Sequence, residues 1–257
     1  MFRLLRKFFV FLRYDPVVVL TKLKITSDSN GRGTLFINSL VERKFRKTGL
    51  EELLSRYGRL DQNKDYEFFL SGHKKRDSLY LYGHVSQKDG QDVVEFGSGI
   101  STIVMAYAIQ QRKNGPKHKV YAVEADAKWA TLVQNALKEL NLSEYAEVMV
   151  STPRLTNFDG QACSFFDKLP NASPSLIYLD GPDPRSVEGD VHGLSMSALR
   201  FMVQADILLY EWSLYAGSKI IVDGRLHNLR FLQKNLKRQY KVRRNYFANV
   251  STLQLIR

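Results

Sequence analysis

Hydrophobic and polar positions divide the 257-residue chain into two stretches with different patterning. Up to residue 88 the pattern is mainly helical. Leu35–Lys47 and Leu50–Tyr57 read as helices, with Thr48-Gly49 as stop and restart. Asp15-Pro16 and the run from Ser27 to Gly33 are breakers. After the turn Lys88-Asp89-Gly90, short continuous apolar runs alternate with amphipathic ones. Strands are predicted at Asp92–Phe96, Lys119–Glu124, Ala146–Ser151, Ser175–Asp180 and Lys219–Asp223. The intervening helices are predicted over Ser101–Arg112, Ala127–Leu140, Ser195–Tyr215 and Leu229–Gln239. Two closing β-rich segments, Tyr240–Phe247 and Ser251–Ile256, have no helix between them. The alternation predicts an α/β fold, a parallel sheet with helices on both faces, and the closing pair predicts a terminal antiparallel hairpin at one edge. A mainly helical region, 1–88, precedes this domain, 89–257.

Composition narrows the class. Hydrophobic residues make up 44% of the chain, enough for a full core. The single cysteine, Cys163, excludes an intrachain disulfide framework and a cysteine-rich zinc site, and fits a reducing compartment. No run approaches the roughly 18 apolar residues of a membrane-spanning helix. A soluble cytoplasmic protein is expected. The net charge of +12 lies on the flanks: residues 1–90 carry 18 Lys and Arg against 10 acids, 91–225 carry 12 against 16, and 226–257 carry 8 against none. Such flanks suit an anionic partner or serve as solubilising faces. On a helix, residues 1–14 set Arg3, Arg6, Lys7 and Arg13 on one arc and Phe2, Leu4, Leu5, Phe8, Phe9, Phe11 and Leu12 on the other. That amphipathic segment can cap the core, pair two copies of the chain as a homodimer, or touch a membrane surface peripherally.

Candidate chemistry gathers at the strand ends. Val93 to Phe96 runs into Gly97-Ser98-Gly99 and then into a helix start with Ser101 and Thr102 as capping residues. Two glycines let the backbone turn tightly beneath a ligand, and a helix N-terminus presents unpaired N–H groups. In open parallel sheets ligands sit beyond the carboxyl ends of the strands. Glu124, at the second strand's tip, can accept two hydrogen bonds from a ribose diol or simply start the next helix.

In their order these residues resemble class I S-adenosylmethionine-dependent methyltransferases, which have a Rossmann-like fold. Glu95-Phe96-Gly97-Ser98-Gly99 looks like their first motif and Glu124 like their second-strand acid. The strand ends Leu179-Asp180-Gly181-Pro182 and Val222-Asp223-Gly224, with the closing hairpin, follow the same order. The resemblance covers roughly residues 90–257. It implies S-adenosylmethionine as cofactor, with Gly97 and Gly99 beneath its methionine portion and Glu95 near its amino group. Glu124 would hold the ribose hydroxyls, Ala125 or Asp126 would flank the adenine, and Asp180 would face the transferred methyl. Phe96, Ser98, Ser101 and Thr102 complete the cofactor set. Ser101 stands where many members have a third glycine, which counts against a dinucleotide site. Beyond the third strand no clear adenine-binding acid is present, and Asp159 is a poor candidate.

For catalysis the candidates are Asp180, His192, Asp223 and Arg225. His192 is a general base or a cap for the helix predicted after it. Asp180 and Asp223 end adjacent predicted strands and could share a site. Related metal-dependent enzymes bind Mg²⁺ there, but Gly224-Arg225 follows Asp223 where another ligand is expected, so a divalent metal is not favoured. Arg225 and Arg185 could clamp an anionic substrate, or Arg225 could pair with Asp223. The expected reaction is methyl transfer to an oxygen or nitrogen of a small or anionic acceptor. Two alternatives remain open. One is an RNA methyltransferase using Arg230, Lys234, Lys237, Arg238, Lys241, Arg243 and Arg244; the other is a non-catalytic nucleotide-fold binder.

Overall fold

The computed structural model describes residues 41–60, 72–86, 91–112, 118–199, 203–245 and 249–257. The amphipathic segment 1–14, the breakers, the start of the helix predicted from Leu35 and the turn at 88–90 lie outside them. The chain divides into two units, Met1–Leu81 with Arg244–Val250, and Tyr82–Arg243 with Ser251–Arg257.

In the first unit, helical turns over 41–47 lead through Thr48-Gly49 into α1 (Leu50–Leu60) and then α2 (Gly72–Val85), which runs on into the second unit. Phe45, Leu50, Leu53, Leu54 and Tyr57 are buried, at the spacing that gives α1 its apolar stripe. Lys75 donates to Glu42 at 2.6 Å and lies 5.5 Å from the Phe45 ring centroid.

The strands, all within the second unit save Arg244–Asn245 of β11 and Val250 of β12, are β1 (Val93–Phe96), β2 (Val120–Glu124), β3 (Ala146–Val150), β4 (Pro153–Phe158), β5 (Gln161–Phe166), β6 (Leu176–Leu179), β7 (Asp190–Val191), β8 (Leu194–Ser195), β9 (Val203–Gln204), β10 (Lys219–Asp223), β11 (Tyr240–Asn245) and β12 (Val250–Leu255). The helices after α2 are α3 (Ile100–Gln110), α4 (Ala127–Glu139), α5 (Ile207–Tyr210) and α6 (Leu226–Asn235). Seven strands form the main sheet in the order β11-β12-β10-β6-β1-β2-β3. β3, β2, β1, β6 and β10 are mutually parallel. β12 runs against β10, since its last residue, Leu255, exchanges backbone hydrogen bonds with Gly217 and Ser218 just before β10. Only four residues join β11 to β12, too few for a parallel crossover. The fold is therefore the predicted Rossmann-like one, with its antiparallel pair at an edge. Every residue of β1 and β6 is buried, as continuous apolar strands covered on both faces require. Among the described residues no helix is long and apolar enough to cross a membrane.

Two stretches depart from the sequence reading. Between β3 and β6 the chain forms an antiparallel hairpin, β4 and β5, closed by Asp159 (φ 50°) and Gly160 (φ 74°). An Asp-Gly pair at positive φ is the preferred two-residue hairpin turn. Asp159 spends its carboxylate on Lys234 at 2.8 Å.

The long helix predicted over Ser195–Tyr215 is absent: β8, β9, α5 and a 3-10 turn at Glu211–Ser213 occupy that stretch instead. Tertiary pairing overrides helical propensity there. β9 pairs in parallel with β5, and the buried Asp206 accepts the Phe166 N–H at 3.0 Å. Gln204 accepts the Ser164 hydroxyl at 2.8 Å and donates to Asp206. Burial raises the Asp206 carboxyl to about 7. The last helix begins at Leu226, three residues earlier than predicted, and stops at Asn235.

Candidate active site

At the carboxyl end of β1 the chain is locked from below and opened above. Phe96 is fully buried and stacks on Phe166 with ring centroids 6.0 Å apart, which anchors the loop that follows. Gly97 then turns with φ 94°, and its backbone lies against Gly181 after β6. A Cβ on Gly181 would stand 2.7 Å from both the Cα and N of Gly97, so only glycine permits this approach. The N–H of Gly99 donates to Thr102 Oγ1 at 2.9 Å, and that hydroxyl donates to Glu95 Oε2 at 2.6 Å. Glu95 is completely buried and, among the described residues, its Oε1 meets no hydrogen-bond partner. Burial raises its carboxyl to about 8, against hydrogen bonds from Ser101 and Thr102, and the charges of Asp180 and Glu124 push the same way as burial.

Glu124 ends β2 beside this loop. Its Oε2 accepts the N–H and the hydroxyl of Ser98, both at 2.8 Å. Its Oε1 accepts the N–H groups of Ala125 and Asp126 at 2.8 and 3.0 Å. Those four donors fill the roughly four acceptor positions of a carboxylate. Three are fixed backbone groups; the Ser98 hydroxyl alone can swing away by rotating χ1. Asp126, expected beside an adenine, is the N-cap of α4 and accepts from Lys128 and Trp129 N–H.

A cavity of about 580 Å³ opens over these groups, within the usual range for small-molecule sites. Gly97, Ser98, Glu124 and Trp129 line one side and Asp180, Gly181, Asp183 and Arg185 another. Four carboxylates, counting Asp126, face one guanidinium. That guanidinium is itself paired, since Arg185 Nη2 donates to Asp183 Oδ2 at 2.6 Å.

No family model matches the chain, and no curated protein does. Solved structures do. A Podospora anserina methyltransferase with S-adenosylhomocysteine bound is similar at 11% identity over 80% of this chain and 88% of its own, with a TM-score of 0.48. An O-methyltransferase of Streptomyces achromogenes involved in tomaymycin synthesis, in complex with S-adenosylmethionine, is similar at 16% identity, 80% and 89% coverage and a TM-score of 0.45. A Bacillus cereus O-methyltransferase in complex with S-adenosylhomocysteine gives 13%, 95%, 98% and 0.43. At such low identity and superposition, these likenesses decide nothing about this chain's chemistry.

The catalytic candidates are placed unequally. Parallel register pairs Leu179 with Val222, so Asp180 and Asp223 end neighbouring strands as expected. Arg225 is neither paired with Asp223 nor held out for an anion. Its guanidinium donates to the backbone carbonyls of Asp180 and Pro182, the latter at 3.4 Å, and stands 4.0 Å from the Asp180 carboxylate. It staples the end of β10 to the loop after β6. His192 sits at φ 53° in the exposed two-residue turn between β7 and β8. It does not line the cavity, and among the described residues no helix starts next to it for it to cap. Among the described residues no group of three or more His, Cys, Asp or Glu could hold a metal ion.

Sequence reasoning missed Trp129, whose indole N–H donates to Ser98 O at 2.8 Å and whose ring lies 3.8 Å from where a Gly99 Cβ would be. Its helical spacing shows only that it belongs to α4. The glycine loop it braces is distant in sequence.

Proposed function

We propose that this chain is an S-adenosylmethionine-dependent methyltransferase acting on an oxygen or nitrogen atom of a small acceptor. One observation carries the reading: the cavity at the carboxyl end of the sheet is lined by carboxylates and floored by a glycine–glycine contact. A negative cavity suits a ligand that joins a ribose to a sulfonium and an ammonium. It opposes the pyrophosphate of a dinucleotide.

The residues fit such a cofactor. Glu124 would accept a ribose hydroxyl at the position the Ser98 hydroxyl vacates, and Gly97 to Gly99 would let the amino-acid portion approach the backbone. Glu95, its carboxyl raised to about 8 by burial, would give up its proton beneath the ammonium and then add negative potential. Trp129 braces the loop from the α4 side. When bound, the cofactor supplies an electrophilic methyl on a positively charged sulfur.

The protein's share is largely orientation, which supplies much of the acceleration in such transfers. Asp180 lines the cavity and its carboxylate could take the acceptor's proton, whereas Asp223 ends the neighbouring strand without lining the cavity. With Arg225 committed to two carbonyls and Arg185 to Asp183, neutral or cationic acceptors fit better than anionic ones.

The test is incubation with methyl-labelled S-adenosylmethionine and a panel of small phenols, alcohols and amines, with and without a chelator. Label in an acceptor, matched by S-adenosylhomocysteine, supports the assignment. Cofactor binding with no transfer to any class would reduce the protein to a binder.

A further inference from the structure

Away from the cavity, the segment after β9 turns large apolar side chains into water. Leu209 is 63% exposed and Trp212 74%, three residues apart and so on one face of the turn that α5 begins. Tyr215 is 37% exposed and Ile256 54%. Contacts bring Trp212 close to the strand end that carries Ile256. The Arg238 guanidinium lies 5.9 Å from the Trp212 ring centroid, the next residue, Gln239, accepts the Ile256 N–H at 2.8 Å, and Arg257 donates to the Gln239 side chain at 2.8 Å. Lys237 and Arg257 give the patch two exposed cations, while the Arg238 guanidinium is held by the carbonyls of Glu211 and Leu214. The one acid within it, Glu211, is buried and receives the N–H groups of Lys237 and Arg238, each at 2.8 Å.

We propose that this patch seats the protein on an anionic lipid surface. A bilayer interface accepts Trp and Tyr at headgroup depth and Leu and Ile at the acyl boundary. Anionic headgroups add attraction for each Lys or Arg near the surface. Charge complementarity favours this occupant, because residues 226–257 carry eight cations and no acid. A single-stranded nucleic acid would use the aromatic rings and the cations but leave Leu209 and Ile256 in water.

The experiment is flotation of the full chain with phosphatidylcholine vesicles, with and without phosphatidylserine, alongside Leu209→Ser/Trp212→Ser and, separately, Lys237→Glu. These side chains are exposed, so the variants should keep the wild-type melting curve. Wild-type protein is expected to bind the phosphatidylserine vesicles, weakly at high salt, with a blue shift of tryptophan emission. The double variant should bind at least about tenfold more weakly without that shift, and Lys237→Glu a few-fold more weakly. Three results would overturn the proposal. They are no binding to anionic vesicles or equal binding to neutral and anionic ones, wild-type binding retained by the double variant, and loss in the double variant of RNA binding or self-association without any vesicle binding. None of these readouts depends on methyl transfer.

Discussion

The two ends of the parallel sheet are built to opposite rules. At the amino end the strands are tied together by paired polar groups. Asp92 accepts the Ser175 N–H through its carbonyl and the Lys119 N–H through its carboxylate, both at 2.9 Å. Ser175 in turn accepts from Gln91 and Lys219. Arg112 donates to Val85 O, and Lys219 meets His84 Nδ1 at 3.1 Å. At the carboxyl end a buried carboxyl keeps an oxygen without a partner, carboxylates crowd one another, and two backbones touch with no side chain between them. Buried polar groups are normally satisfied, so an exception marks a place where stability has been given up. The closed end ties the strands together and the open end holds the candidate cavity.

The largest effect that would break this contrast is at the glycine contact. Gly181→Ala puts a Cβ 2.7 Å from backbone atoms that cannot move without disturbing β1. It should cost about 3 kcal/mol and abolish cofactor binding, read by denaturant unfolding and calorimetry. A wild-type unfolding midpoint would mean the two loops do not touch.

Glu95 comes next. Its folded-state carboxyl is raised to about 8, whereas an unfolded glutamate loses its proton near 4.5, so the cost of burying it grows as pH rises between those values. Glu95→Gln should therefore stabilise the ligand-free protein by about 1–3 kcal/mol at pH 8 and leave it unchanged near pH 4.5. The same variant should bind the cofactor more weakly, a trade that no purely structural residue would show. Thermal melts at the two pH values and one titration decide it.

At the closed end the sign reverses. Burial, and secondarily Lys219, lower His84 to about 4 from 6.5. The folded state resists a proton that the unfolded chain accepts, so stability drains as pH falls from 6.5 towards 4. His84→Asn should flatten that acid limb by about 1 kcal/mol, given the solvent that reaches the ring. An unchanged limb would remove His84 from the account. Smallest is Ser98→Ala, which deletes the hydroxyl competing for Glu124. Affinity for S-adenosylhomocysteine should rise about two- to fivefold, and affinity for methionine should not change.

Much of this was legible from single residues. Continuous apolar runs gave β1, β2, β6 and β10, and the glycines, Glu124 and the strand-end aspartates fell where the open end lies. The hairpin β4–β5 was signalled by Asp159-Gly160 but flanked by too little alternation to be noticed. The stretch 195–215 departs from a helix because Gln204 and Asp206 bond to Ser164, Asn228 and Phe166, partners that no local pattern names. Arg225 was misread for the same reason, since its acceptors are carbonyls more than 40 residues away. Local chemistry shows which groups are present; tertiary contacts decide which of them are already occupied.

The most direct measurement is calorimetric titration of the wild-type protein and Glu124→Ala with S-adenosylhomocysteine, run at pH 7 in two buffers of different ionisation enthalpy, with NADH as control. The account predicts micromolar binding to wild type, about 100-fold weaker binding to the variant, no heat with NADH, and proton release as the ligand's ammonium lowers Glu95. Absence of binding by folded wild-type protein, or equal binding by the variant, would contradict it.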